Sequence, residues 1–236
     1  MALRYNANLE VQYPDETLLG QVSDATRASL RKVWNEKSYT SGQLILDAED
    51  PGSDVLFLLQ GSARVANFSA KGREVSFSGI LEGDCFGEFA VVDGEPRSAS
   101  VLAMDRTKVA LVPDAKFKEM LELHPDLSLA LMRRLVEKLR ELTRRVSEFT
   151  ALRADDRIRL EILRLFRAAE GRDGSALLES PPTQAALAAF VFTNREAVAR
   201  EIGRMKRKKL IERRGRALFA PSVDALDEYQ VVNTTA

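Results

Sequence analysis

Apolar and polar positions change rhythm several times along this chain. From Leu18 to Trp34 the residues Leu18, Val22, Leu30 and Trp34 stand among polar neighbours, a spacing that predicts one or two short helices. From Tyr39 to Val112 short aliphatic runs are punctuated by Gly42, Pro51-Gly52, Gly61, Gly72, Gly83 and Gly94. Short strands at that turn spacing predict a sandwich or barrel, with Leu44–Leu46, Val55–Leu59, Val75–Phe77 and Lys108–Val112 as members and Lys71-Gly72 as a hairpin tip. Pro113 closes this part, and Asp114 to Leu123 reads as a short helix carrying Phe117, Met120 and Leu121.

After His124-Pro125-Asp126 a long helix is predicted, with Pro125 suited to its first turn. Leu135, Leu139, Leu142, Val146 and Phe149 recur at the alternating four-and-three spacing of a two-stranded coil. A stripe this narrow, on a helix otherwise rich in Arg and Glu, is buried fully by a partner helix, which predicts a homodimer; packing on the chain's own barrel is the competing reading. The rhythm breaks over Thr150 to Asp156, read as a hinge, and a new helix starts at Asp155-Asp156 and runs to about Ala169. Gly171 to Pro182 reads as loop, followed by short helices over Thr183 to Phe190 and about Asn194 to Lys208, then a hairpin around Gly215. The expected organisation is a β-rich domain over 1–125, a helix and hinge over 126–152 and a second domain over 153–236.

Composition narrows the function classes. The 236 residues are 45% apolar and 30% charged, enough for two buried cores. No run of apolar residues is long enough for a membrane span, and the first residues lack a signal-peptide core, so the cytoplasm is the expected location and no membrane partner is expected. A single cysteine, Cys85, and a single histidine, His124, argue against a metal site and against a metal-dependent enzyme on a barrel. Cys85 reads as a small core residue and His124 as a surface or capping residue. The net charge is zero, yet Arg195 to Arg216 holds ten basic residues against Glu196, Glu201 and Glu212, the balance of a nucleic-acid surface.

The stretch Phe86 to Ala99, FGEFAVVDGEPRSA, has the parts needed to hold one compact phosphate inside a barrel. Gly87 permits close backbone approach, and a helical turn from Glu88 to Val92 would aim free N–H groups at an anion. Arg97 offers a planar fork, Ser98 a hydroxyl, and Glu88 an acceptor for a ribose hydroxyl. These residues, with Phe89, are the candidate ligand residues of the N-terminal half.

FGE-x-A followed by G-x-PRSA resembles the phosphate-binding cassette of the cyclic AMP receptor protein and fumarate-nitrate regulator superfamily. The resemblance implies an α+β fold: an N-terminal β-barrel or jelly-roll cyclic-nucleotide-binding domain, a long dimerisation helix and a C-terminal winged helix-turn-helix. It implies that Gly87, Glu88, Arg97 and Ser98 hold the ribose phosphate and that Ala99 adds a backbone N–H. It also implies that Leu142 and Thr143 face the base, one hydroxyl being kept and the other lost, with cyclic AMP the first choice of effector and cyclic GMP close behind. RNA polymerase is the further partner it implies.

Thr183 to Lys209 has the shape of a helix-turn-helix. On a helix starting near Asn194, Arg195, Glu196 and Arg200 project outward, while Val198, Ile202 and Met205 point back. Guanidinium forks match guanine and a carboxylate matches cytosine. The string resembles the recognition helix of the same superfamily, which implies double-stranded DNA with palindromic TGTGA-like half-sites, read by Arg195, Glu196 and Arg200. Asn194, Lys206 and Arg214 join them as candidate DNA-binding residues, the basic ones of these on phosphates. Phe192 stands where the family's bend has a glycine, so the bend either differs or takes a positive φ. A nucleotide-independent regulator sensing another small anion, and an interaction module without DNA binding, stay open from the residues alone.

Overall fold

The structure, a computed structural model, describes residues 4–5, 11–48, 50–68 and 74–234, so the Lys71-Gly72 tip lies outside the described residues. The chain divides into two units, Met1–Arg140 and Glu141–Ala236. In the first, β1 (Arg4–Tyr5) pairs with β2 (Val11–Gln12), ahead of α1 (Leu18–Gln21) and α2 (Asp24–Val33). There follow β3 (Asn35–Tyr39), β4 (Leu44–Leu46), β5 (Val55–Gln60), β6 (Ala63–Phe68), β7 (Glu74–Ile80) and β8 (Cys85–Phe86). Then come α3 (Glu88–Asp93), β9 (Ser100–Ala103), β10 (Thr107–Val112), α4 (Asp114–Leu123) and α5 (Pro125–Ala151), the last running on into the second unit.

Two four-stranded antiparallel sheets, ordered β3-β10-β5-β8 and β4-β9-β6-β7, form the barrel. Side chains alternate across a strand, and β5 shows the result most clearly. Val55, Phe57 and Leu59 join a core with α1, α2, α4 and the start of α5, while Leu56 and Leu58 join the core between the sheets. The same alternation sends Cys85 to the helix side and its neighbour Phe86 between the sheets. His124 caps α4 through its backbone N–H, and its Nδ1 lies 3.3 Å from the Thr26 hydroxyl.

Two readings of the sequence need correction here. β3 was not expected because Asn35-Glu36-Lys37-Ser38 is polar; it is an edge strand whose exposed charges suit an edge. Leu135 packs against the helix-side core and does not belong to the coil stripe. The exposed apolar stripe of α5 is instead Leu129, Met132, Val136, Leu139, Leu142, Val146 and Phe149, each 45–64% exposed.

In the second unit α5 ends at Ala151 and α6 (Ala154–Ala168) begins after Leu152 and Arg153. The break between the two helices is therefore narrower than the stretch Thr150 to Asp156 read as a hinge: the Thr150 hydroxyl bonds back to the Val146 and Ser147 carbonyls inside α5, and Asp155 and Asp156 already form the first turn of α6. The stretch read as loop contains β11 (Ala176–Leu178). After it come α7 (Gln184–Phe190), α8 (Arg195–Arg207), β12 (Glu212–Arg214), β13 (Ala217–Ala220) and α9 (Val223–Thr234). β11 pairs with β13, and β13 with β12, so three strands form the wing sheet. Ile158, Phe166, Leu187, Val198, Met205, Ile211 and Leu226 are among the residues that fill the core of this unit.

Candidate functional site

Gly87 caps α3 with φ +79°. A Cβ there would stand 2.6 Å from Arg97 Nη1 and 3.2 Å from the Asp54 carbonyl oxygen, so the position needs glycine for both space and conformation. Arg97 is buried, and its two amino groups donate to the carbonyls of Gly87 at 2.6 Å and Asp54 at 2.7 Å. Its Nε is buried with no hydrogen-bond partner among the described residues. Burial lowers the pKa of this guanidinium from its ordinary value, an effect that Asp50, Asp54 and Glu88 offset in part. A cation held in the fold beside a side-chain-free residue, with a donor unspent, fits a compact anion.

Glu88 is buried at 3% exposure, and its carboxylate takes an ion pair from Lys138 Nζ of α5 at 2.7 Å. The same ammonium stands 5.4 Å from the centre of the Phe89 ring. Lys138 was missed in the sequence because it lies fifty positions from its partner and one turn from the residues that drew attention on that helix. One turn earlier, Arg134 Nη2 pairs with the buried Asp84 carboxylate at 2.6 Å; burial nevertheless raises the Asp84 pKa above the usual range. Burial also pushes the Cys85 thiol well up, so it is an inert core group. Ser98 is exposed and Ala99 partly so, at the end of the segment from Arg97 into β9. Leu142 and Thr143 are exposed on α5 within the second unit.

In that second unit the Asn194 side chain accepts from the Ala197 N–H at 2.8 Å and so caps α8. Arg195, Glu196 and Arg200 are exposed, whereas Val198, Ile202 and Met205 are buried. Arg195 and Lys206 line a groove of about 720 Å³ with Thr183, Gln184, Arg213 and Arg216. Arg214 pairs with Glu212 at 2.6 Å and stacks on Phe219 at 3.4 Å. Glu201, which sequence reasoning counted only as an opposing charge, is fully buried on the inner face of α8, where Arg159, Arg204 and Tyr229 all bond to it. Phe192 takes the positive φ of the two alternatives, at 54°.

Among the described residues no helix is long and apolar enough to cross a membrane, and no group of three or more His, Cys, Asp or Glu is placed to hold a metal ion.

The sequence matches the family described as "Cyclic nucleotide-binding domain" over residues 36–124 and that described as "Crp-like helix-turn-helix domain" over residues 134–229. The chain belongs to the cyclic AMP receptor protein and fumarate-nitrate regulator superfamily. Its members are transcription regulators and not enzymes. It is similar to the cAMP-activated global transcriptional regulator CRP of Pasteurella multocida, 25% identical over 181 residues that span 76% of this chain and 87% of that one. The cAMP-activated regulator Vfr of Pseudomonas aeruginosa is 24% identical over 188 residues, 78% of this chain and 88% of its own. A CooA mutant from Carboxydothermus hydrogenoformans has the same fold, with a TM-score of 0.77 at 18% identity over 93% of this chain and 98% of that one. So does the regulator CLP of Xanthomonas campestris, described as c-di-GMP responsive, with a TM-score of 0.72 at 18% identity over 84% of this chain and 99% of that one.

Set in this superfamily, the two matched domains are the barrel that carries Gly87 and Arg97 and the wing-and-helix unit that carries Arg195 and Arg200.

Proposed function

We propose that the chain is a cytoplasmic, homodimeric transcription regulator whose barrel binds a cyclic nucleotide and whose α8 helices read palindromic TGTGA-like half-sites in double-stranded DNA. The observation that carries the reading is the Gly87–Arg97 cradle: a buried guanidinium, one nitrogen still unpaired, beside a residue that can have no side chain. Gly87, Glu88, Arg97, Ser98 and Ala99 would hold the ribose phosphate, with Phe89 beside them and Leu142 and Thr143 facing the base. Cyclic AMP is the first choice, since the relatives CRP and Vfr are described as cAMP-activated. Cyclic GMP is the second, because Leu142 has no hydroxyl to offer a base edge.

The exposed stripe from Leu129 to Phe149 is an apolar seam of the kind a second copy of α5 covers. Arg195, Glu196 and Arg200 would touch base edges, with Asn194 at the helix start, while Lys206, Arg214 and the basic wing sit on phosphates. RNA polymerase is the proposed partner on the DNA. The ligand acts only through a difference in its affinity for the two states of the dimer. The test is a DNA-binding titration with and without cyclic AMP, repeated with cyclic GMP and a cyclic dinucleotide. A nucleotide-dependent rise in affinity is expected; affinity unchanged by every nucleotide would remove the sensing half of the proposal and leave the DNA half standing.

A further inference from the structure

Three phenyl rings and two guanidinium groups meet at the bend between α7 and α8. The Phe192 ring packs edge-on against Phe149 of the last turn of α5, with centroids 5.5 Å apart and planes at 69°. Arg145, also on α5 and buried, lies 4.1 Å over Phe190 and 5.3 Å over Phe192, and donates to the Phe190 carbonyl at 2.9 Å. Arg157 of α6 lies 5.0 Å over Phe149 and donates to the carbonyls of Leu152, Val191 and Phe192. The end of α5, the link to α6 and the bend are thus tied by one set of contacts.

The bend itself needs no phenyl ring. Glycine would take φ 54° without strain, whereas phenylalanine pays in steric crowding for that conformation. What the ring adds is the bridge from the bend to Phe149 and Arg145. The two arginines hold backbone carbonyls, which stiffens the bend against rotation, and the ring stops it sliding along α5.

We propose that Phe192 is a positioning residue: its ring locks the helix-turn-helix bend to the end of the long helix and so sets the separation at which two α8 helices meet DNA. This rests on the dimeric regulator reading, in which paired α5 helices carry the two DNA heads and half-sites lie about one helical turn apart. The ring does not touch the bases in this account, so it governs spacing and leaves the half-site sequence alone.

The test uses the full-length protein, with binding sites selected from a random-sequence duplex pool and affinities then measured by fluorescence anisotropy. Wild type and Phe192→Tyr are expected to select paired half-sites at one separation. Phe192→Gly and Phe192→Asn, both at ease at positive φ and so able to keep the bend, are expected to select the same half-sites over several separations. They should bind the wild-type duplex at least about tenfold more weakly, while binding to a single half-site changes less than about twofold. Variants that match wild type in separation and affinity overturn the proposal, and so does equal loss on single and paired sites, which is the signature of a merely structural role. A wild type that selects no paired half-sites removes the regulator reading and this inference with it.

Discussion

Lys138 Nζ stands 2.7 Å from a Glu88 carboxylate that is 4% exposed, while the lysine side chain itself is 41% exposed. The pair therefore has one end in the barrel and one in water. Breaking a buried pair costs about 3–5 kcal/mol, and water at the lysine end reduces that, so Lys138→Met is expected to lower stability by about 1–2 kcal/mol. Thermal unfolding should show a drop of roughly 2–8 °C. Adding Glu88→Gln, which removes the stranded charge, should recover most of it; a double variant no better than the single one would locate the loss in packing.

Arg97→Ala removes the cation from the cradle. Charge-assisted hydrogen bonds contribute about 1.5–3 kcal/mol each, so calorimetry should show cyclic-nucleotide affinity reduced roughly 10- to 150-fold. Wild-type affinity in this variant would mean that the phosphate is held elsewhere.

Gly87→Ala tests the same cradle from its other side. The left-handed backbone costs an alanine about 1–2 kcal/mol, and its Cβ would press on Arg97 Nη1 at 2.6 Å. Unfolding should come a few degrees earlier and nucleotide affinity should fall by about tenfold or more. A calorimetric titration indistinguishable from wild type would show that the guanidinium can give way.

Why some of this was legible in the sequence and some was not follows from distance and polarity. Gly87 to Ala99 is a local string, so its residue types and spacing point to a phosphate without any tertiary information. Lys138 meets Glu88 only because α5 returns across the barrel, and no local pattern marks that meeting. The strand β3 is polar along most of its length because it lies at a sheet edge, and β11 sits in a stretch whose Gly, Ser and Pro content reads as loop. Leu135 fitted the coil rhythm, yet a helix that touches a barrel on one side shares its apolar residues between two surfaces, and the rhythm alone does not divide them.

Acid should weaken the second unit through Glu148. Burial alone pushes its carboxyl up, but hydrogen bonds from Arg164 and Arg144, aided by their charges, outweigh this and hold it below the usual range. An unfolded glutamate titrates near about 4.3, so the stabilisation is complete above that pH and is lost as pH falls through the lower folded value. Glu148→Gln is expected to cost about 1–2 kcal/mol at neutral pH and nothing at the acid end of the scale. Denaturant unfolding across pH 2 to 7 checks it, and a gap that stays constant would assign the effect to shape.

Arg195 and Lys206 line one groove yet should fail differently. Arg195→Ala is expected to cost about 1–3 kcal/mol on the selected site and to relax choice at one base position. Lys206→Ala should weaken all duplexes alike and lower the salt slope by about one. Anisotropy titrations at several salt concentrations separate the two, and identical behaviour would place both on phosphates.

Glu201 lies fully buried on the inner face of α8, and its partner Arg159 also reaches Asp156 of α6 and the Gln230 side chain of α9. The outer surface of α8, with Arg195, Glu196 and Arg200, therefore depends on electrostatic support from helices at both ends of its unit. Anyone trimming this protein to a minimal fragment around α8 must keep α6 from its first turn and α9 past Gln230, or α8 will rest on a stranded charge.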